Sequence, residues 1–585
     1  MKRSTYIWSL LVGCVAFATS CDLTENVQVK ADKSMIFGSK SGLELYSNSF
    51  YKALPTLKNG FMQDKMCDVG AVSNTDTFIK RGAYNTETAT SWSWGALKNV
   101  NYFIDGCNDP KYCTVEAETR DNYLGIARWF RAWFYYDKLT TYGEVPWFPN
   151  DIQSYQNDVM YKDRDSRDVI IRNLIADLDF AYEHIQATSS TGSATLTRWA
   201  AAALKSRVCL FEAAYRRYHN LTGLEITPEE LYREAAKAAK LVIDNSGCSL
   251  NTAAGKKGAY RDLFYSETPL TQEVILAVCA NEKSGIFGEQ NWWFNARSYG
   301  LCWSLVRSFV HTYLKQDGTP FTAAADYAVK SFAEEMEGRD LRLEQTVRGR
   351  NFLWDGKTAV ADIKNLSLTG YQVIKYTLDE SKYDGGAKNI NSIPLIRYAE
   401  VLLNYAEAKA ELGEFSETVW NATIKLLRER AGVDGAMPSA YDPYMAEYFL
   451  NTTTDMAILE IRRERGIELL LENCRWDDDM RWGMGRLLER PWYGVYVGEL
   501  GKVYDMDGDG SGDVCFVREN PPVTEPGVTY RVLGGDYALT DGDSGYIECY
   551  IRMNRKWDDK KYVRPIPTTA LNDNPALGQN PGWKK

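Results

Sequence analysis

Seven stretches of this chain set Ala, Leu and Tyr at the three- and four-residue spacing of a helix face: 120–140, 167–185, 197–218, 228–245, 394–412, 418–431 and 455–475. The fifth shows the pattern in full. Arg397, Glu400, Asn404, Glu407 and Glu411 recur at intervals of three and four, and Ala399, Leu402, Leu403, Ala406 and Ala410 fill the rest, as in one amphipathic helix. Such a helix must cover its apolar stripe, and the short turn between 197–218 and 228–245 lets one helix cover the next. The expected fold is therefore mostly α, with tetratricopeptide-like hairpins of relaxed period. From 251 to 391 and from 491 to 562 the helical period is lost among Gly, Asp, aromatic residues and short β-like runs such as 273–278. These loop-rich, minor-β regions are where a ligand-binding region is expected.

Composition narrows the function classes. With 45% hydrophobic and 25% charged residues over 585 positions, the chain buries a large core and is not a disordered protein. The net charge is −10, and no run of Lys and Arg is long enough to track phosphates, so nucleic acid is not expected as a partner. Only three histidines occur, His184, His219 and His311, far apart, which argues against a His-rich metal centre or a His-based triad. The excess lies in 17 Trp and 37 Tyr, whose rings pair an apolar face with a polar tip suited to binding surfaces.

The first residues read as a lipoprotein signal. Lys2 and Arg3 precede an apolar run, and Ala18-Thr19-Ser20 lead to Cys21, the expected lipidation site. Cys14, after Leu11-Val12-Gly13, has the better lipobox, but cleavage there discards half of the apolar run. Loss of residues 1–20 removes two positive charges and takes the net charge to −12. No later segment has the ~18 apolar residues of a spanning helix, so the lipid is the expected membrane attachment. Ten cysteines then remain in an oxidising compartment, where Cys107 and Cys113 flank a turn, Asn108-Asp109-Pro110, that could bring them together as a disulfide or leave them as free thiols.

Three constellations carry possible chemistry. Glu460, Glu464, Glu468 and Glu472 are spaced by four on one helix face, near the separation of glycosidase carboxyls, but Arg463 and Arg475 are expected to neutralise the row as scaffold. Asp505, Asp507, Asp509 and Asp513, with Gly510 between, follow a calcium loop at positions 1, 3, 5 and 9, although position 12 is Phe516 rather than Glu. A structural Ca²⁺ and a solvated acidic turn are both open readings. Trp292, Trp293 and Tyr299, in a segment without helical or strand period that continues to Trp303, offer rings for stacking on sugar C–H faces, with Trp303 the one expected to be core.

Several motifs in order complete the reading. Residues 128–132 leading to Tyr142-Gly143-Glu144-Val145-Pro146, then 198–210, Asp317-Gly318-Thr319-Pro320, Arg339-Asp340-Leu341-Arg342, 394–408, 463–468, Arg475-Trp476-Asp477, Pro565-Ile566-Pro567 and Gln579-Asn580-Pro581-Gly582 resemble the SusD/RagB family of outer-membrane nutrient-binding lipoproteins across nearly the whole mature chain. Cys474, where a Gly is usual, and Asp478-Asp479 depart from the pattern. The resemblance implies a signal at 1–20, an N-terminal helical region at 21–255 and a C-terminal region at 256–585, packed as one body. It implies a non-catalytic protein, lipid-anchored on the outer face of the outer membrane, that binds an oligosaccharide and delivers it to a SusC-like TonB-dependent transporter. The family's early binding region falls here on Arg81, Tyr84, Trp92 and Trp94. Two rival classes stay open, a glycoside hydrolase and a peptide-binding or scaffolding helical-repeat lipoprotein.

Overall fold

The computed structural model describes residues 33–296 and 300–584; the signal segment, Cys21 and Tyr299 lie outside them. The scaffold helices are α1 (Gly95–Asn108), α2 (Ala117–Tyr142), α3 (Arg167–His184), α4 (Arg198–Tyr218), α5 (Pro228–Asn245), α6 (Gly255–Tyr265), α7 (Tyr398–Glu411), α8 (Met456–Glu468) and α9 (Arg475–Arg481). Consecutive helices pack in series, α1 on α2, α2 on α3, α3 on α4 and α4 on α5, and α7 then joins α5 to α8. Small residues set the close approach: Ala200 to Ala203 of α4 and Ala235, Ala236, Ala238 and Ala239 of α5 are all buried. Local chemistry fixes the ends. Helix α5 starts at Pro228 behind a reciprocal cap, in which the Thr227 hydroxyl accepts from Glu230 N–H and the Glu230 carboxylate accepts from Thr227 N–H. Helix α2 stops at Gly143, whose φ of 76° favours glycine.

Tertiary contacts break three of the seven expected helices. Ile393–Arg397 is a strand, paired antiparallel with Val274–Val278, and the helix begins only at Tyr398. Extending this stretch covers the edge of the partner strand and lets the Arg397 guanidinium reach Glu273, Glu468 and Glu472. The stretch 418–431 divides at Thr423 into Glu417–Ala422 and Ile424–Arg430. The last divides between α8 and α9, where Leu471 and Asn473 have φ of 61° and 60°. Helices α1 and α6 fall outside the seven stretches, although Leu97, Val100, Ile104 and Cys107 of α1 keep the same three- and four-residue spacing. In 491–562 the chain forms two small sheets, Trp492–Val497 with Gly545–Cys549 and Tyr537–Leu539, and Val514–Val517 with Thr529–Val532 and Val503–Tyr504.

The four glutamates spaced by four are buried or nearly so; Arg463 joins the row as expected, and the other partners come from outside the helix. Glu460 is held by Arg428 and Arg463, Glu464 by Arg428 and Arg342, and Glu468 by Arg342, Arg397 and Arg430. Glu472, beyond the end of α8, is held by Lys375 and Arg397. Arg475 does not join this row; it pairs with Asp68 and Asp479. Burial pushes the Glu468 carboxyl up, but Arg430, Arg397 and Arg342 more than reverse that and hold it well below the usual range.

The C-terminal segment ties back onto the first hairpin. The Asn580 amide donates to the carbonyls of Tyr142 (2.9 Å) and Arg564 (2.7 Å), and its oxygen accepts from Arg164. Gln579 bonds both the N–H and the carbonyl of Ile566, and the Trp583 indole donates to the carbonyls of Lys560 and Val563. The Tyr142-Gly143 turn and the closing Gln579-Asn580 are thus one interaction, and it fixes residues 560–566 against α2.

Candidate functional site

A cleft of about 710 Å³ opens between α2, the segment 53–66, α4, the start of α9 and the fixed C-terminal segment. Helix α2 explains its aromatic wall. Trp129, Phe130, Trp133, Phe134, Tyr135 and Tyr136 crowd into eight positions, more rings than one helix stripe can bury. Trp129 and Tyr135 are core, while Trp133, Phe134 and Tyr136 line the cleft. Trp476 and Phe78, with ring centroids 6.0 Å apart, and Tyr562 extend the wall. This size and mixture of rings with a few convergent polar groups is that of a ligand site.

The polar groups are held by specific bonds. Asp477 accepts from the Tyr136 hydroxyl (3.1 Å) and the Gln63 amide (3.0 Å). Burial raises its carboxyl to about 7, opposed by the Tyr136 bond and the Arg207 charge. Behind it Asp64, 1% exposed, accepts from the N–H groups of Asn473 and Trp476, and burial raises it likewise to about 7. Asn473 takes its left-handed conformation because its side chain accepts from Gln63 N–H and donates to the Gly60 carbonyl. The break between α8 and α9 is therefore what brings Asp477 to the cleft wall.

The residues expected from sequence fall in several places. Trp92 and Trp94, both half-buried, meet edge to face at 5.4 Å and line a second cleft of about 440 Å³ with Phe148, Asn150, Tyr161 and Asn574. Tyr84 packs edge-on against Phe78 beside the C-terminal wall of the larger cleft. Arg81 is exposed, its N–H bonded to the Asn554 carbonyl. Trp292 and Trp293 pair at 4.6 Å on a short helix, Gln290–Asn295, where no helical period was expected. Bonds from Asn291 to both N–H and carbonyl of Leu378 pin that helix. Neither tryptophan lines the two clefts. Trp303 is 1% exposed and stacks on Phe294. Cys107 and Cys113 are free thiols.

In the acidic loop, Asp505, Asp507 and Asp513 each place a carboxylate oxygen within 4.8 Å of the others. Asp509 stands outside this group and accepts from Ser511 N–H. Burial pushes Asp507 and Asp513 up, and their acidic neighbours add to it. Asp505 is lowered despite burial, because Gly510 and Gly508 donate their N–H groups to it. Phe516 is buried in a strand, so a twelfth-position ligand is replaced by core.

The SusD family model matches residues 272–583. The chain belongs to the SusD family. A SusD-like protein of Bacteroides ovatus is 22% identical over 501 residues, 79% of this chain and 80% of its own. The SusD-like protein P38 of Formosa agariphila is 24% identical over 374 residues, 61% of this chain and 66% of its own. Among solved structures, a SusD-like protein of Bacteroides fragilis superposes with a TM-score of 0.68 at 20% identity, covering 94% of this chain and 99% of that one. A SusD-like carbohydrate binding protein of the same species does so with 0.68 at 19%, covering 93% and 100%. The mostly helical SusD fold thus spans both halves of the chain.

Sequence reasoning missed the main cleft wall: Trp133, Tyr136, Trp476, Tyr562, Lys561 and Arg564. The aromatic crowding of α2 was the available signal. Nothing local marks Lys561 and Arg564, whose position depends on the C-terminal tie.

Proposed function

We propose that this protein binds an oligosaccharide in the 710 Å³ cleft without transforming it. The supporting observation is the cleft itself, with the rings of Trp133, Phe134, Trp476 and Tyr562 beside the side chains of Asn59, Gln63 and Asn473, in a SusD family member. Rings stack on sugar faces while amides bond the hydroxyls. The cleft of Trp92 and Trp94 adds a neighbouring aromatic surface for a longer chain. Cys21 carries the lipid that holds the protein on the outer face of the outer membrane, and a SusC-like TonB-dependent transporter takes the bound sugar; the family resemblance supports both. The acidic loop takes one structural Ca²⁺ on Asp505, Asp507 and Asp513, with Asp509 in support.

One observation favours a glycoside hydrolase: Asp477, raised to about 7 in the cleft, is the kind of carboxyl that serves as a general acid. Against it, both Asp477 oxygens already accept hydrogen bonds, and the cleft's Glu472 is committed to Lys375 and Arg397. Calorimetry on glycan-array hits, with reducing ends assayed in the same samples, separates the readings. Binding without release, weakened in Trp133→Ala by about 1 to 2 kcal/mol, is expected; release of reducing ends that stops in Asp477→Asn would establish the hydrolase instead.

A further inference from the structure

The charges lining the 710 Å³ cleft balance in number but not in pairing. Its lining cations are Lys65, Arg207, Lys561 and Arg564, and its lining acids are Asp76, Asp137, Glu472 and Asp477. Most are already committed. Arg207 forks onto both oxygens of Glu400 at 2.6 Å, and Glu472 is neutralised by Lys375 and Arg397. Lys65 lies 3.7 Å from Asp76, and Asp137, largely exposed, lies 3.8 Å from Lys138. Asp477 is held by two neutral donors.

Two cations remain. Among the described residues, neither Lys561 nor Arg564 has a carboxylate within 4 Å. Lys561 is only 6% exposed, yet its ammonium has a single hydrogen bond, to the Lys80 carbonyl at 3.4 Å. It sits 5.7 Å from the Phe78 ring and 5.9 Å from that of Trp557, and burial lowers its affinity for the proton. The Arg564 guanidinium lies 5.0 Å over the same Phe78 ring. A buried ammonium with no carboxylate in contact, only the more distant Asp558, is costly, and this one is held in place by the Asn580, Gln579 and Trp583 bonds that fix its segment. Arg564 also bonds the Tyr84 hydroxyl; these neutral partners and the aromatic faces contribute some stabilisation but leave both cations without a carboxylate in contact.

We infer that Lys561 and Arg564 form a subsite for the anionic group of an acidic sugar, a ring carboxylate or sulfate, within the glycan cleft. This rests on the glycan-binding reading above. The stacked rings hold the sugar plane, and the two cations select residues that carry charge. Arg564 supplies the fork that matches a planar carboxylate or a sulfate edge, and Lys561 supplies a point charge beside it.

The test is an array of oligosaccharides bearing uronate, sialate or sulfate, beside neutral ones, followed by calorimetry on the hits. The expected result is that acidic glycans bind and their neutral counterparts do not. Raising salt from about 0.05 to about 0.5 M should weaken that binding severalfold. Lys561→Met and Arg564→Met should each lose about tenfold or more, with Lys561→Arg restoring most of it. Melting curves identify a variant that merely unfolds, and the salt series on the native chain then decides alone. Uronate hits against sulfate hits distinguish the two anions. Neutral hits, or acidic hits indifferent to salt and to both substitutions, would overturn the acidic subsite while leaving glycan binding intact. No hit of either kind would overturn both.

Discussion

Glu468→Gln isolates the buried ion network that ties α8 to Arg342, Arg397 and Arg430. The glutamate is fully buried, and its carboxylate accepts from Arg342 (2.9 Å), Arg397 (2.7 Å) and Arg430. Glutamine keeps the shape but leaves three guanidinium groups facing one neutral oxygen and an opposing amide donor. Breaking a buried pair from one side costs about 3 to 5 kcal/mol. With a urea slope of about 3 kcal/mol/M the unfolding midpoint should fall by about 1 M or more. An exposed pair makes the control: Lys240→Gln removes an i,i+4 contact to Asp244 and should cost at most about 0.5 kcal/mol. The pH dependence has a fixed sign. Because the folded carboxyl is depressed, its contribution is present above the unfolded value of about 4.3 and is lost as pH falls below it. The gap between native protein and variant should therefore narrow in acid. Glycan affinity should be unchanged, since Glu468 lines neither cleft. A cost under about 1 kcal/mol at pH 7, or a gap that persists in acid, would refute the account of the network.

Asp477→Asn should act in the opposite sense: the raised carboxyl takes up a proton on folding, so native stability falls as pH rises from about 4 to about 7. The variant should be more stable than the native protein by about 1 to 2 kcal/mol at pH 8, discounted for solvent at the cleft wall, and equal to it only below about pH 4, where the carboxyl is protonated folded and unfolded alike; equal offsets in scanning fluorimetry at both would exclude this. Chelator should lower the melting temperature of the native protein but not of an Asp505→Asn, Asp507→Asn double variant, and calorimetry should register one Ca²⁺ taken up only by the former. Trp303→Ala should lose roughly 3 to 5 kcal/mol of stability, whereas Trp92→Ala should melt almost normally and weaken glycan binding by about 1 kcal/mol; the reverse pattern would exchange their roles. Cys21→Ala should release the protein from the membrane fraction, and full retention on fractionation would move the anchor elsewhere.

Helices were legible where local chemistry and periodicity agree. For α5, Thr227, Pro228 and Glu230 mark the start, and the Ala-rich period carries it to Asn245. Periodicity alone overran. Leu469-Leu470-Leu471 continue the apolar pattern of α8, and only the contacts of Asn473 with Gln63, Asp64 and Gly60 turn the chain there. The same limit applies to the site. The surplus of rings on α2 was countable, but whether a lysine or arginine is left unpaired depends on groups hundreds of positions away. Arg475 illustrates it: spacing assigned it to the glutamate row, and its partner is Asp68, 407 residues earlier.

The bond from Asn580 to the Tyr142 carbonyl spans 438 residues of sequence. The wall bearing Lys561, Tyr562 and Arg564 therefore cannot take its place while the chain is still being synthesised; it is the last part of the cleft to be assembled. Until then Phe78 lacks the Lys561 and Arg564 side chains that lie over its ring. A chain cut short before Gln579 would carry every scaffold helix and still lack the bonds that fix this side of the cleft. Assembly of the cleft thus depends on a few C-terminal hydrogen bonds made after the rest of the scaffold.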